Sequence, residues 1–385
     1  MMQASHSLPR TAYVDDKWLS HEQRGLFSGS WCLVGTTGDF KNPGDYRLVE
    51  IGGYSLVAIL DRNGALNAFH NVCRHRGTTL FDDDNGNTGG AIVCPYHRWT
   101  YGLDGGLRGV PDKATCFPDL DRAGLGLKPA GLGVFREFVF VNADPTASFE
   151  DWIAPIRDRS WPHDLYASDV KEAVPLTYDL KCNWKVFVEN AIDGYHLAYL
   201  HEKTLGGPAP DQNIWDRAGD HMIWFATEEG IRHRLPKKIR DENGSIGTIS
   251  SAAQAGYGGV YYLFPLTLVV PTPYGLSVSS LRPRSSNRTR LEYRHWVGPW
   301  QSRDDRKHVP GYNKETDLVS SDNWTRHPLE TGDFQTEDVW ICEKVQRGLE
   351  SPAYEPGPLS TGPGAEDPIR WFHASLGRRL GDTPD

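Results

Sequence analysis

The sequence predicts an α+β protein in two domains, a small antiparallel β domain inserted into, or preceding, a larger α+β domain. Three observations predict it. Residues 31 to about 145 alternate apolar, β-branched runs (WCLVGTT, YRLVEIGG, YSLVAILDRNG, AIVCPY, GVFREFVFVNA) with Gly, Pro, Asn and Asp, the texture of strands and turns. After NADPTASFEDW, the segment NWKVFVENAIDGYHLAYLH sets Trp184, Phe187, Val188, Ile192 and Tyr195 close to helical spacing. Strand character returns in GGVYYLFPLTLVV, YGLSVSSLRP and RLEYRHWVG, and a last helix is expected over about 334–349, carrying EDVWICEKVQRGL.

A chain of 385 residues is too long for one small core and comfortable for two domains. The expected division is 1–30, packing on the larger unit, then 31–145, then 146–385. The opening MMQASHSLPR has no apolar run behind a basic start, which argues against a secretory signal. No apolar run approaches the about eighteen residues of a membrane span, since prolines interrupt LFPLTLVVP. A cytoplasmic protein is expected. At 38% hydrophobic and 24% charged the chain reads as folded rather than disordered, and its net charge of -9 argues against nucleic-acid binding. Six scattered cysteines do not form a disulfide framework, and only Cys73 and Cys94 sit beside histidines.

Those two belong to NVCRHRGTTLFDDDNGNTGGAIVCPYHRW, which spaces Cys73, His75, Cys94 and His97 as C-x-H and C-x-x-H. One tetrahedral zinc is the plain alternative. Zinc fingers, however, usually pair their cysteines first, whereas here each loop supplies one Cys and one His. Two cysteines on one iron and two histidines on the other describe a [2Fe-2S] cluster of Rieske type.

CRHRG followed by CPYHRWTYGLDG resembles the Rieske domain of the non-haem iron oxygenases, specifically their large (alpha) subunit. The resemblance runs from WCLVG to IRWFH, nearly the whole chain. It implies an antiparallel β Rieske domain, and a larger catalytic domain with an antiparallel sheet flanked by helices. Cys73 and Cys94 would bind one iron, and His75 and His97 the solvent-nearer one. Arg74, Arg76 and Arg98 flank these ligands and could form a basic rim for an acidic ferredoxin.

A Rieske cluster moves single electrons and has no open position for O2, so chemistry requires a second centre. His196, His201 and one carboxylate would make the facial triad of non-haem iron(II) oxygenases. Residues five apart on a regular helix diverge by roughly 140°, so the helix must end or distort between the two histidines, at LAYL. Asp193, three residues before His196, is expected to share its face. On a helical projection Asp338, Cys342, Val345 and Leu349 form one stripe, while Glu337 and Glu343 point elsewhere. An acid on an apolar stripe is the odd residue, and the resemblance selects Asp338 too. It further implies that Asp193 bridges His196 to His97 of a neighbouring subunit in a ring-shaped trimer, and that Asn190 sits near the iron without binding it.

The resemblance implies a mono- or dioxygenase fed by NAD(P)H through a separate ferredoxin or flavin reductase. An aromatic, possibly anionic, substrate is expected, in a pocket lined by Tyr261, Tyr262, Phe264, Leu266 and Leu268. Arg232, Arg234, Lys237, Lys238 and Arg240 could form a cationic lid. One alternative is a monooxygenase or demethylase of a quaternary ammonium or N-methyl compound, held by an aromatic cage. An alternative of another class is a Rieske electron-transfer or redox-sensing protein without catalytic iron.

Overall fold

Two short helices, α1 (Thr11–Val14) and α2 (Asp16–Gly25), lead the chain into its strands. The computed structural model describes residues 8–204, 210–226, 259–272, 275–298, 318–362 and 366–381. Internal contacts divide the chain into two units, residues 22–154 and residues up to 21 together with 155–385.

Every run expected as strand in the smaller unit contains strand, and the last, GVFREFVFVNA, is a hairpin of two. The strands are β1 (Cys32–Thr36), β2 (Asp45–Ile51), β3 (Tyr54–Leu60), β4 (Leu66–His70), β5 (Asn85–Asn87), β6 (Ile92–Val93), β7 (Thr100–Tyr101), β8 (Leu107–Gly109), β9 (Gly131–Phe135) and β10 (Phe138–Asn142). They form antiparallel sheets ordered β4-β3-β2-β5, β1-β10-β9 and β6-β7-β8. Gly52 and Gly53, at φ 60° and 80°, make the two-residue turn between β2 and β3. That left-handed pair matches the strand twist and suits glycine. Tyr46, Val57, Ile59, Phe69 and Phe81 pack with Trp99 and Tyr101 into a core that contains Cys73 and Cys94. Two helices, α3 (Lys113–Cys116) and α4 (Phe149–Arg157), follow the ligand loops.

Among the described residues, the larger unit is built on a nine-stranded sheet. Its strands are β11 (Lys171–Glu172), β12 (Leu176–Leu180), β13 (Asn213–Ala218), β14 (His221–Ala226), β15 (Val260–Leu263), β16 (Thr267–Thr272), β17 (Gly275–Ser285), β18 (Arg288–Val297) and β19 (Leu318–Ser320). The order is β13-β14-β15-β16-β17-β18-β12-β19, with β11 beside β18. Only the β12–β19 pair among the described strands is parallel. Helices α5 (Trp184–Ile192) and α6 (Leu197–Leu200) lie between β12 and β13, and α7 (Phe334–Glu350) and α8 (Asp367–Leu380) close the chain.

Helix α5 packs on α7, α8 and β17. Trp184 of α5 meets Phe372 of α8 edge to face, with ring centres 5.6 Å apart. Caps set the helix starts: the Asn183 side chain accepts from Lys185 N, and Asp333 accepts from Gln335 N and Thr336 N. The expected last helix exists as α7, but α8 follows it. Its signals are in the sequence, with Asp367 and Pro368 in the first turn and Ile369, Phe372 and Leu376 on a buried face.

Candidate metal centres

Cys73 and His75 sit on the loop from β4 to β5, and Cys94 and His97 on the loop from β6 to β7. The second loop is a hairpin tip. The first is not, because β4 and β5 are opposite edges of their sheet. Backbone hydrogen bonds close both loops: Cys73 N donates to Thr78 O and Gly77 N to Cys73 O, while Cys94 N donates to Trp99 O and Arg98 N to Cys94 O. Arg98 takes φ 58°, a left-handed conformation that costs a side-chain-bearing residue about 1–2 kcal/mol.

The four side chains converge. Both cysteines are free and buried in one core cluster. Burial pushes the Cys73 thiol up, against a hydrogen bond from Tyr101 that lowers it. The His75 and His97 ring centres are 4.6 Å apart, with His75 stacked on Trp99 at 4.8 Å and 6°. Nδ1 of each histidine is buried without a hydrogen-bond partner. Burying an unpaired ring nitrogen is costly, and two such atoms beside two thiols are the donor set a Rieske cluster takes. Burial and the neighbouring His97 and Arg76 lower the His75 pKa, keeping its imidazole neutral as a ligand must be.

Tyr101 was not among the expected site residues. Its hydroxyl accepts from Arg74 N at 3.0 Å and lies 3.2 Å from Cys73 Sγ, placed to donate to a thiolate there. Hydrogen bonds to cluster sulfur stabilise the more negative, reduced state. Tyr101→Phe is therefore expected to lower the midpoint potential by about 20–60 mV, the equivalent of one hydrogen bond of about 0.5–1.5 kcal/mol for one electron. A redox titration followed by the reduced-cluster EPR signal checks this.

In the larger unit, helix α5 ends at Ile192, and Asp193 is extended at φ -88°, ψ 109°. A side chain on Gly194 would approach Asn213 Cβ and Cγ to 3.1 Å. The Asn213 amide donates to Gly194 O and accepts from Trp224 Nε1, bracing the kink. The break thus falls before His196 as well as after it. LAYL is itself the single turn α6, with His196 at its start and His201 beyond its end at φ -100°, ψ 19°. Asp193 meets His196 across the kink rather than along one helix face, with Oδ2 3.3 Å from Nδ1.

His196 Nε2 and His201 Nε2 are 3.3 Å apart, and they lie 3.6 and 3.0 Å from Asp338 Oδ1. Metal–ligand bonds of about 2.0–2.2 Å put neighbouring octahedral ligands about 3 Å apart, so these atoms could hold one ion on a single face. They form the one metal-ligand cluster of this kind among the described residues. Burial works against the imidazolium of His196, but hydrogen bonds to Asp193 and Asp338 outweigh it and push its pKa up to about 10. Burial would raise Asp338, yet the charges and hydrogen bonds of His201 and His196 hold it below the usual carboxylate range. The triangle favours a cation. Asn190 Nδ2 donates to Asp338 Oδ1 at 2.8 Å, without itself joining the triangle.

Two expectations about α7 need correction. Val345 is exposed, and the buried face runs through Gln335, Val339, Cys342, Gln346 and Leu349, so Asp338 stands at its edge. Glu337 does not point away from the centre: it is 1% exposed and its Oε2 accepts from His201 Nδ1 at 2.7 Å. That oxygen also accepts from Thr204 Oγ1 at 2.7 Å. Only the tertiary fold reveals this contact, because Glu337 lies 136 residues from His201.

Tyr261, Tyr262, Phe264, Leu266 and Leu268 are all buried but do not form one wall. Neighbouring strand residues face opposite sides. Tyr261 packs on Trp161 and donates to Arg159 O, whereas Tyr262 and Phe264 pack against Phe372 of α8. Leu268 is paired with Tyr262 and shares its side. Leu266 belongs to the turn between β15 and β16, where Tyr262 donates to Pro265 O. The basic stretch from Arg232 to Arg240, with Arg234, Lys237 and Lys238, lies outside the described residues. Arg74, Arg76 and Arg98 are exposed around Cys73, His75, Cys94 and His97, beside exposed Val72, Val93 and Tyr96.

Comparison with known proteins agrees with both centres as a class. A Rieske [2Fe-2S] domain matches residues 30–124, and the catalytic domain of ring hydroxylating alpha subunits matches residues 168–382. The chain is 32% identical to a glycine betaine monooxygenase oxygenase subunit of Pseudomonas aeruginosa, over 92% of this chain and 85% of that one. It is 29% identical to a carnitine monooxygenase oxygenase subunit of Escherichia coli, over 91% and 86%. It is 27% identical to a chloroplastic choline monooxygenase of Spinacia oleracea, over 98% and 79%. The crystal structure of a quaternary ammonium Rieske monooxygenase shares the fold, with TM-score 0.75 and 23% identity over 98% of this chain and 96% of that one. The chain belongs to the Rieske oxygenase large subunits. It is an oxidoreductase whose cofactors are a Rieske [2Fe-2S] cluster and a mononuclear iron, which sets aside the structural-zinc and electron-transfer alternatives. Among the described residues no helix is long and apolar enough to cross a membrane.

Proposed function

We propose that this chain is a monooxygenase of a quaternary ammonium compound, with Cys73, His75, Cys94 and His97 holding the cluster and His196, His201 and Asp338 the iron. The substrate class rests on one observation, near full-length similarity to oxygenases named for glycine betaine, choline and carnitine. Those three compounds share a trimethylammonium group. Naphthalene dioxygenases share the fold at 19% identity, which carries no substrate argument. The expectation of an aromatic substrate therefore yields to its alternative. An aromatic wall serves a cation as well, at about 0.5–2 kcal/mol per cation–π contact. Tyr262, Phe264 and Leu268, on the helix-covered side of the sheet, are the residues we assign to it.

When bound, the cluster relays single electrons and the iron activates O2 for insertion into a C–H bond. The protein's own groups do the rest. His196 and His201 direct Nε2 inward because Asp193 and Glu337 hold their Nδ1 atoms. Asn190 orients Asp338 through its amide. The balance is one O2, two electrons and two protons per hydroxylated substrate and one water. Hydroxylation of an N-methyl group leaves a carbinol that collapses to a tertiary amine, formaldehyde and a proton.

Electrons come from NAD(P)H through a ferredoxin or flavin reductase, and the assembly is a homotrimer in which His97 of one subunit donates to Asp193 of the next. Exposed Tyr195 and Tyr199 beside Asp193 support an interface there. Arg74, Arg76 and Arg98 are assigned to docking an acidic donor. Arg98→Gly relieves the left-handed backbone, so it is expected to raise thermal stability slightly while slowing reduction by the protein donor and not by dithionite. Stopped-flow reduction with each reductant checks this.

Substrate choice is tested with chemically reduced, iron-loaded protein and O2, offering glycine betaine, choline, carnitine, benzoate and naphthalene. Oxidised product, or formaldehyde, from a trimethylammonium compound is expected. A dihydroxylated arene, with nothing from the trimethylammonium compounds, would return the assignment to ring hydroxylation.

A further inference from the structure

We propose that Glu337 is a positioning residue for the mononuclear iron, fixing the ring and tautomer of His201. The proposal rests on the reading of His196, His201 and Asp338 as iron ligands and deepens it.

A neutral imidazole carries one N–H, and a carboxylate can only accept. The 2.7 Å contact between His201 Nδ1 and Glu337 Oε2 therefore puts the proton on Nδ1. With Nδ1 so occupied, Nε2 is the nitrogen that would offer its lone pair to an ion shared with Asp338 Oδ1, 3.0 Å away, and His196 Nε2, 3.3 Å away. Thr204 Oγ1 donates to the same carboxylate oxygen, so Glu337 is held as well as holding.

The two histidines have unequal partners. Asp193, on His196, has a side chain 15% exposed, whereas Glu337 and His201 are each 1% exposed. Asp193 can meet a group from outside, but Glu337 cannot, so its contribution is orientation and negative charge next to the ion. Glu337 also precedes Asp338 directly in the first turn of α7, whose N-terminus Asp333 caps. One helical turn thus supplies one ligand and the brace of another.

The test is an anaerobic Fe(II) titration of the full-length, cluster-containing protein against a chromogenic chelator, with cluster iron subtracted through acid-labile sulfide. Wild type is compared with Glu337→Gln, Glu337→Ala and Thr204→Val. Loss of such an outer carboxylate typically weakens metal binding about 10–100-fold. Glu337→Ala is expected to weaken Fe(II) binding by that range. Glu337→Gln should lose less, because its amide oxygen still accepts from Nδ1, and Thr204→Val less again. Unchanged Fe(II) affinity in Glu337→Ala, or equal losses in the Gln and Ala variants, overturns the proposal. Wild-type protein that takes up no Fe(II) beyond its cluster would instead refute the ligand assignment beneath it. An unaltered cluster spectrum and melting temperature in Glu337→Gln separate these outcomes from misfolding.

Discussion

Asp338→Ala is expected to keep its cluster and lose both the mononuclear iron and product formation. The substitution removes one vertex of a triangle whose edges are 3.0, 3.3 and 3.6 Å. It also leaves the Asn190 amide without its 2.8 Å acceptor. The loss should exceed the about 10–100-fold typical of outer-shell partners, since on the proposed assignment the lost oxygen is itself a ligand. The smaller unit has a core of its own around Cys73 and Cys94, so the visible spectrum of the cluster should be retained. Iron and acid-labile sulfide counts, set beside turnover, check all three statements.

Asp193→Ala has a different expected signature. Asp193 bonds His196 Nδ1 at 3.3 Å and accepts from Tyr195 N at 2.6 Å, so it fixes both the ligand and the kink. If Asp193 also meets His97 of a neighbouring subunit, its loss breaks the path between centres while leaving each centre's own ligands in place. With Fe(II) supplied in excess, reoxidation of a pre-reduced cluster by O2 and substrate is expected to slow by about 100-fold or more, as misplacement of reacting groups by about an ångström can do. Stopped-flow absorbance of the cluster measures it. Asp193→Asn, which keeps an oxygen able to accept, should fall between the alanine variant and wild type.

How much of this was legible in the sequence depends on how local each feature is. Cys73, His75, Cys94 and His97 were readable because ligand type and spacing lie within one short stretch. The burial of the two cysteines and the two orphaned Nδ1 atoms follow from the fold. The need to reconcile His196 with His201 was readable from helix geometry, but not the position of the break. Gly194 lies against Asn213 of β13, a contact that no helical projection contains. Asp338 was selected partly for a stripe that includes Val345, which is exposed. The projection assumes a helix covered evenly along its length, whereas α7 buries Thr336 and Glu337 in its first turn and turns Val345 outward.

Glu337 and Tyr101 escaped because each acts on a side chain distant in sequence, 136 residues away for His201 and 28 for Cys73. Which of Tyr261, Tyr262, Phe264, Leu266 and Leu268 share a face escaped for a related reason: apolar alternation in VYYL does not say which face a helix will cover. Phe372, from α8, decides it.

The central claim is that electrons stored at the cluster are spent at the iron on a trimethylammonium substrate. It is tested by one turnover of cluster-reduced, iron-loaded protein mixed with 18O2 and glycine betaine, choline or carnitine, quenched rapidly and read by mass spectrometry. The predicted result is one labelled oxygen in the oxidised compound, or in an aldehyde trapped before exchange with water, appearing as the cluster reoxidises. Cluster reoxidation with no oxidised trimethylammonium product, or the same product yield from Asp338→Ala, would contradict it.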